Sequence, residues 1–338
     1  MKTISIALCT YNGARFLREQ LQSIANQKLL PNEIIITDDC STDDTESIVN
    51  EFKSLLNIIF IRNATPLKVS KNFEKAISLC TSDIITLCDQ DDLWHPEKLS
   101  IIHNYFQTNP LKLAVFSNAK LIDEKGKDLG QTFWQKVRLN TPQIEAWQQG
   151  EALEVNLHGN RVAGCMLAFK KELLTFCQPF PAFKPPMIHD GWLTLIACMF
   201  NGIGLIDKPL ISYRQHEAQQ VGTRAVQQGK VLSLKERLAR PRSEKLAPFI
   251  QKRDEYSYLS TIIKQYLGQK DGLIVSNNFK KIDSVIDFYE TRATLPIFHL
   301  LRILPVMKLL ITGAYHRYKD QEASWKAPYI AAFGDLFE

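Results

Sequence analysis

Over its first 120 residues the chain switches repeatedly between two hydrophobic periods, and that alternation restricts the fold more than any other feature. Residues 4–8 form a short apolar run of β-formers, and residues 14–26 then place Phe16, Leu17, Leu21 and Ile24 at helical spacing. The pair recurs three times. Residues 33–37 are followed by a helical pattern over 42–52, with Ser41 or Thr42 available as N-cap. Residues 58–62 precede a helix over 71–79, and residues 84–88 precede one over 95–106, whose Pro96 is tolerated in a first turn. Residues 114–117 read as another strand. Strands alternating with helices over such short loops predict βαβ units and an α/β fold with a mostly parallel central sheet flanked by helices.

Beyond residue 120 the pattern loosens. Lys125-Gly126-Lys127 reads as a turn, 162–169 as a strand leading into a short helix at 170–172, 179–186 as proline-rich loop and 191–200 as a helix. After Gly222 the composition shifts to amphipathic helices over 231–267 and 279–289, rich in Lys, Arg, Glu and Gln. The length of 338 residues allows two domains, at roughly 100–200 residues each, and the expected boundary separates 1–222 from a helical region over 223–338.

Composition removes whole classes. With 45% hydrophobic and 23% charged residues the chain is globular, which excludes disorder, collagen-like repeats and coiled coil as its main architecture. A balance of 41 Lys+Arg against 36 Asp+Glu argues against a nucleic-acid partner. The seven cysteines, at 9, 40, 80, 88, 165, 177 and 198, form no C-x-x-C pair and several sit in apolar runs. They predict reduced core thiols and a cytoplasmic protein. The apolar stretch at the start is too short and interrupted for a signal peptide, and no run of about 18 uncharged apolar residues predicts a membrane span.

Chemistry gathers at strand ends. Asp89, Asp91 and Asp92 directly follow the apolar run 84–88, at the carboxyl end where open α/β sheets bind ligands. Three carboxylates so close repel one another, and a divalent cation would remove that cost; oxygen ligands suit Mg²⁺ or Mn²⁺. A solvated acidic turn explains the same string, and alone it does not choose. Asp38 and Asp39 follow the second strand, able to accept a base N–H or a ribose hydroxyl, or simply to favour a helix start through the macrodipole. Thr10-Tyr11-Asn12-Gly13 ends the first strand, without the G-x-G-x-x-G turn of a nicotinamide dehydrogenase. Three strand ends with polar groups fit for a nucleotide and its metal are poorly explained by chance.

Thr10-Tyr11-Asn12, Asp38-Asp39-x-Ser41-Thr42-Asp43 and Asp89-Gln90-Asp91-Asp92, in that order over about residues 1–220, resemble the nucleotide-site motifs of family 2 glycosyltransferases, which have the GT-A fold. The string through Leu93-Trp94, with His189-Asp190-Gly191-Trp192 and Tyr213-Arg214-Gln215-His216, is similar to the bacterial rhamnosyltransferase-like branch, which builds O-antigens, capsules and related polysaccharides. The resemblance implies an inverting, metal-assisted transfer from a nucleotide sugar, dTDP-L-rhamnose foremost, to a saccharide acceptor carried on an undecaprenyl-diphosphate lipid. A UDP-hexose or UDP-N-acetylhexosamine donor, or a catalytically silent nucleotide-sugar-binding subunit, stays open beside it.

It also implies roles. Thr10, Tyr11, Asn12, Asp38 and Asp39 would hold the base, with Arg62 near it; Lys71 and Asn72 would face the ribose, with Asp89 and Gln90. Asp91, Asp92 and His216 would hold the metal, and Arg214 would offset charge on the departing diphosphate. Asp190 would be the base that takes the acceptor proton, a contribution of about 10²–10⁴-fold. Gly164 and Cys165 would lie under the donor sugar. Apart from the resemblance, Trp192 reads equally as a platform for a sugar ring or as a core residue, and Phe133, Trp134 and Trp147 lie in the loosely patterned insert, where aromatic faces would suit the acceptor or the core.

The tail carries its own expectation. Lys230, Lys235, Arg237, Arg240, Arg242, Lys245, Lys252 and Arg253 face only Glu236 and Glu244, and residues 295–312 are the most hydrophobic stretch. Such helices would suit the cytoplasmic face of the inner membrane as a peripheral contact, or would pack on protein, including a second copy in a homo-oligomer.

Overall fold

A computed structural model describes residues 2–182, 187–217, 236, 239–268, 272–319 and 324–337. The chain divides into two compact units, Met1–Arg224 and Ala225–Glu338.

The first unit is built on a nine-stranded sheet: β1 (Ile4–Thr10), β2 (Glu33–Asp38), β3 (Ile58–Arg62), β4 (Ile84–Cys88), β5 (Leu93–Trp94), β6 (Ala114–Ile122), β7 (Asp128–Thr132), β8 (Leu167–Lys170) and β9 (Ile203–Arg214). The order is β3-β2-β1-β4-β8-β6-β9-β5, with β7 paired on β6. β3, β2, β1 and β4 run parallel, joined by α1 (Ala14–Ala25), α2 (Thr45–Phe52) and α3 (Lys68–Leu79); α4 (Lys98–Thr108) leads from β5 to β6. β2 and β4 are buried along their whole length, which is why they read as unbroken apolar runs without alternation. Phe16, Leu17, Leu21 and Ile24 of α1 are buried, so the helical spacing marks the face against the sheet.

β8 reverses the direction. It is antiparallel to both β4 and β6, while β6 and β9 are parallel. The amino end of β8 therefore lies beside the carboxyl end of β4, on the side of the sheet towards which β6 and β9 also run.

Several boundaries differ from the sequence expectation for local reasons. α2 starts at Thr45, because the side chains before it are engaged elsewhere. Ser41 donates to Asp38 (2.5 Å) and accepts the Asn12 N–H (2.8 Å), and Asp43 accepts from Ala14 N–H (2.9 Å) and the Thr45 hydroxyl (2.5 Å). α4 starts at Lys98, leaving Pro96 ahead of it, since Leu93–Trp94 and the His95 N–H pair with β9. The predicted strand over 162–169 is broken by a 3₁₀ turn, Gly164–Met166.

The second unit is helical: Arg242–Leu267, Leu273–Ala293, His299–Ile311, Ala314–Arg317 and Ala327–Phe337. Its core holds Phe288, Leu295, Val306, Leu309, Tyr315 and Ala332. Beside it Asp335 is held by Arg292 (2.7 and 3.0 Å) and by the Tyr315 hydroxyl (2.5 Å). Lys230, Lys235 and Arg237 of the basic tract lie outside the described residues. Among the described residues no helix is long and apolar enough to cross a membrane.

Candidate active site

A cleft of about 520 Å³ opens along the sheet edge where β4 and β9 end and β8 begins. From the predicted set it is lined by Thr10, Tyr11, Asn12, Asp39, Asn72, Asp89, Gln90, Asp91, Gly164, Asp190 and His216. Asp38, Arg62, Lys71, Asp92, Cys165, Trp192 and Arg214 do not line it.

The loop after β1 is locked to the loop after β4 by one side chain. Gln90 accepts the Tyr11 N–H (2.9 Å) and donates to the Tyr11 carbonyl (3.1 Å). Gly13 makes this possible, since a Cβ there would fall 2.3 Å from Gln90 Oε1. Tyr11 is left 46% exposed with its ring free to stack on a planar ligand. Asn12 sits at φ 46°, an αL position that Asn tolerates, and accepts the Thr42 N–H (2.9 Å).

The acids after β2 are committed to the fold. Asp38 accepts from the Thr10 hydroxyl (2.8 Å), the Ser41 hydroxyl (2.5 Å) and the Ser41 N–H (2.9 Å), and is fully buried. It holds the loop and does not reach the cleft, which corrects its expected place on the base. Asp39 reaches the wall but accepts from Asn63 Nδ2 (2.9 Å) and from the N–H groups of Leu67 (2.6 Å) and Lys68 (2.9 Å). Asn72 spends its amide on the Thr37 carbonyl (2.9 Å) and accepts from Asn63 (2.9 Å). Arg62 turns to the Ser41 carbonyl (2.6 Å) and Glu46 (3.5 Å), and Lys71 to Glu74 (2.5 Å) and the Phe180 carbonyl (3.1 Å), so neither expected nucleotide contact is made from the cleft wall.

The acids after β4 behave differently. Asp89 and Asp91 face the cleft, whereas Asp92 is fully buried, its Oδ1 accepting the Arg214 N–H (3.1 Å) where the loop joins β9. Asp92 Oδ2 has no hydrogen-bond partner. Burial, then Asp91 and Asp190, push the Asp89 carboxyl up to about 7. Burial, then Asp91 and Asp89, also raise Asp92 well above the carboxylate range. Asp91 Oδ2 lies 2.7 Å from His216 Nε2, whose ring packs on Phe16. The expected metal set is thus split: Asp91 and His216 stand together at the cleft, while Asp92 turns inward to meet the Arg214 N–H. Asp89, Asp92 and Cys165 do bring ligand atoms within 4.8 Å of one another. The Cys165 thiol is fully buried and pushed well up by that burial, so it stays protonated beside the two acids. An acid cluster whose carboxyls are raised by burial and then by one another, with an orphaned Oδ2, fits a divalent cation, which would relieve the repulsive part.

Arg214 lies behind this loop, 1% exposed. It donates to the Asp91 carbonyl (2.8 Å), the Glu124 carbonyl (2.9 Å) and Glu19 (2.6 Å), over the Phe16 ring. Its position corrects the expectation of a leaving-group contact: Arg214 buttresses the acidic loop from outside the cleft.

Asp190 enters from the first turn of helix His189–Met199, whose N-cap is Ile188. It accepts the Gly191 N–H (2.6 Å) and the Gly164 N–H, and burial lifts its carboxyl to about 6. Gly164 leaves room for the neighbouring ring, as a Cβ would come 3.1 Å from His189 Nε2, while Asp190 Cβ at 3.7 Å would be in ordinary contact. Cys165 is buried behind the wall. Trp192 is also buried, donating to the Cys177 carbonyl (3.0 Å), and is core, not a sugar platform. Phe133 lines the cleft, whereas Trp134 and Trp147 pack on Phe116.

Two residues escaped the sequence reading. His189 is buried, stacked on Phe73 at 4.1 Å between centroids, and held neutral by burial with its pKa at about 3. Lys98 is fully buried beneath the acids, 3.5 Å from the Trp94 ring centroid, and donates to the Cys165 carbonyl (2.8 Å). A lysine at a helix start reads as solvated, and nothing local distinguishes this one.

Residues 5–174, half of the chain, match the profile of glycosyl transferase family 2. The chain belongs to glycosyl transferase family 2. This family 2 enzyme is 32% identical over 228 residues to the dTDP-rhamnosyl transferase RfbG of Shigella flexneri, a match spanning 64% of this chain and 73% of that protein. It is 35% identical over 109 residues to the abequosyltransferase RfbV of Salmonella typhimurium, covering 31% of this chain and 33% of the relative. Among solved structures it is similar to residues 1–349 of S. aureus TarS, with a TM-score of 0.53 and 17% identity, over 99% of this chain and 80% of that one. The fold of this glycosyltransferase is GT-A, with a mixed, mostly parallel sheet, flanking helices and a C-terminal helical region.

Proposed function

We propose that the protein is an inverting glycosyltransferase that moves L-rhamnose from dTDP-L-rhamnose to a hydroxyl of a growing cell-surface polysaccharide. The observation that carries the reading is that Asp190, raised to about 6, lines the same cleft as Asp89 and Asp91. A carboxylate near that value is ionised at neutral pH and still basic enough to accept a hydroxyl proton. The acceptor oxygen attacks the anomeric carbon as its proton passes to Asp190; the bond from that carbon to the diphosphate oxygen breaks, and the diphosphate leaves with the electron pair. Tyr11 stacks on the base, and Gln90 holds Tyr11 and the acidic loop in one register. Asp91, with His216 and Asp89, would hold Mg²⁺ or Mn²⁺, which would supply positive charge against the leaving diphosphate. The rhamnosyl donor is supported by the 32% identity to the Shigella flexneri dTDP-rhamnosyl transferase. Five of the seven free thiols are buried, in keeping with action in the reducing cytoplasm.

A thermal-shift and calorimetry panel of dTDP-rhamnose, UDP-glucose and UDP-N-acetylglucosamine with Mn²⁺ tests it. dTDP-rhamnose is expected to bind tightest. Preference for a UDP-sugar would remove the rhamnosyl reading and keep the transferase. Binding of none would remove the nucleotide-sugar donor altogether, and binding without transfer to any acceptor would favour the silent subunit.

A further inference from the structure

The unit Ala225–Glu338 leaves two helices with apolar faces open to solvent. On His299–Ile311, Arg302, Val306 and Leu309 point into the core. The opposite side carries Leu300 (81% exposed), Leu304 (81%), Met307 (42%) and Ile311 (80%), spaced for one helical face, and Ile297 and Phe298 lead into it. Helix Ala327–Phe337 packs Ala332 into the same core as Val306 and Leu309. Its outer stripe is aromatic at four-residue spacing: Trp325 just before the helix (71%), then Tyr329 (53%), Phe333 (52%) and Phe337 (51%). Such a density of large apolar side chains on neighbouring helices exceeds the scatter normal on a soluble surface.

The polar groups around these faces say what covers them. From 295 to 319 the sequence has no Asp or Glu, against His299, Lys308, His316, Arg317 and Lys319 outside the core, and Asp320 and Glu322 follow before Trp325. Lys308, His316, Arg317 and Lys326 are exposed. The carboxylate of the last helix, Asp335, is turned inward onto Arg292 and Tyr315. Among the described residues the rim is therefore cationic, with exposed Trp and Tyr, the side chains that favour a lipid–water boundary. At 13 residues the first helix is about 20 Å long, shorter than the roughly 30 Å apolar core of a bilayer, so it would lie in the surface and not cross it.

We propose that these two helices form a binding face for an anionic phospholipid bilayer, their Leu, Ile and aromatic side chains entering the acyl boundary and their Lys and Arg meeting the headgroups. This goes beyond the transfer chemistry and does not depend on the identity of the donor.

The test is flotation of the full chain with vesicles of phosphatidylcholine alone or mixed equally with phosphatidylglycerol, at low and high salt, beside sedimentation velocity without lipid. The wild type is expected to float with the anionic vesicles and to be released by salt. A Leu300→Glu/Leu304→Glu/Ile311→Glu variant, altered only at exposed positions, is expected to lose at least about tenfold in bound fraction. Lys308→Glu/Arg317→Glu, which leaves the apolar face intact, is expected to lose the preference for anionic lipid, so the inference stays testable should the first variant misfold. Absence of flotation with either vesicle overturns it. So does a concentration-dependent dimer that the Glu variant abolishes while vesicle binding is unchanged, because the face would then belong to a second copy.

Discussion

The carboxyl ends of β2 and β4 each carry consecutive acids, and they have opposite fates. Asp38 and Asp39 each accept three hydrogen bonds, and between them they fix the loops that follow β2 and β3. Asp89, Asp91 and Asp92 are supplied with few donors, and burial together with the neighbouring acids raises the carboxyls of Asp89 and Asp92. A sequence shows two similar acidic strings; the hydrogen-bond supply separates scaffold from site. Acids that the fold satisfies have little acceptor capacity left for a ligand, while acids with few donors are poised for a cation or a proton.

Four measurements would break or sharpen that contrast. Asp190→Asn, beside the acids that follow β4, should lower the transfer rate by about 10²–10⁴-fold with donor affinity retained, measured by steady-state kinetics and calorimetry. Near-normal turnover would move the base elsewhere. Asp38→Ala should act on the fold: urea unfolding is expected to show a loss of about 2–4 kcal/mol, with near-normal turnover in the molecules that remain folded. A lost rate at unchanged stability would make the β2 end part of the site after all.

The third concerns pH. Burial holds Asp190 at about 6 in the folded protein, above the ordinary aspartate value near 4. Between those values the native state binds the extra proton, so the wild type loses stability as pH rises through about 6. Asp190→Asn should therefore be more stable than wild type by about 3 kcal/mol at pH 8, a gain that vanishes towards pH 4. A gain independent of pH would mean the carboxyl is not strained by burial. Smallest is the metal effect. Mn²⁺ should raise the wild-type melting temperature by about 2–4 °C, an increment lost in Asp91→Asn and kept in Asp39→Asn.

Much of the scaffold was legible because strands buried on both faces and helices buried on one leave distinct periods, as in β4 and α1. What the sequence could not show is direction within a pair of neighbours. Asp91 and Asp92 part company because Asp92 meets the Arg214 N–H, which comes from β9, far along the chain. Arg214 itself, an exposed cation by composition, is buried by partners as distant as Glu19 and Glu124. Trp192 was opaque for another reason: every residue of its helix is buried, so no period marks an outer face.

The reversal at β8 has a further consequence. Since β6 leaves the sheet at the edge where β8 re-enters, residues 123–166 make an excursion that starts and finishes beside the cleft, and Phe133, Val137, Asn160 and Gly164 from it form one wall. The excursion is tied to the sheet by β7 and by Trp134 and Trp147 on Phe116. Grafting it from a relative with another acceptor would remodel one side of the chamber while the strand ends that carry Tyr11, Asp89 and Asp91 stay where they are.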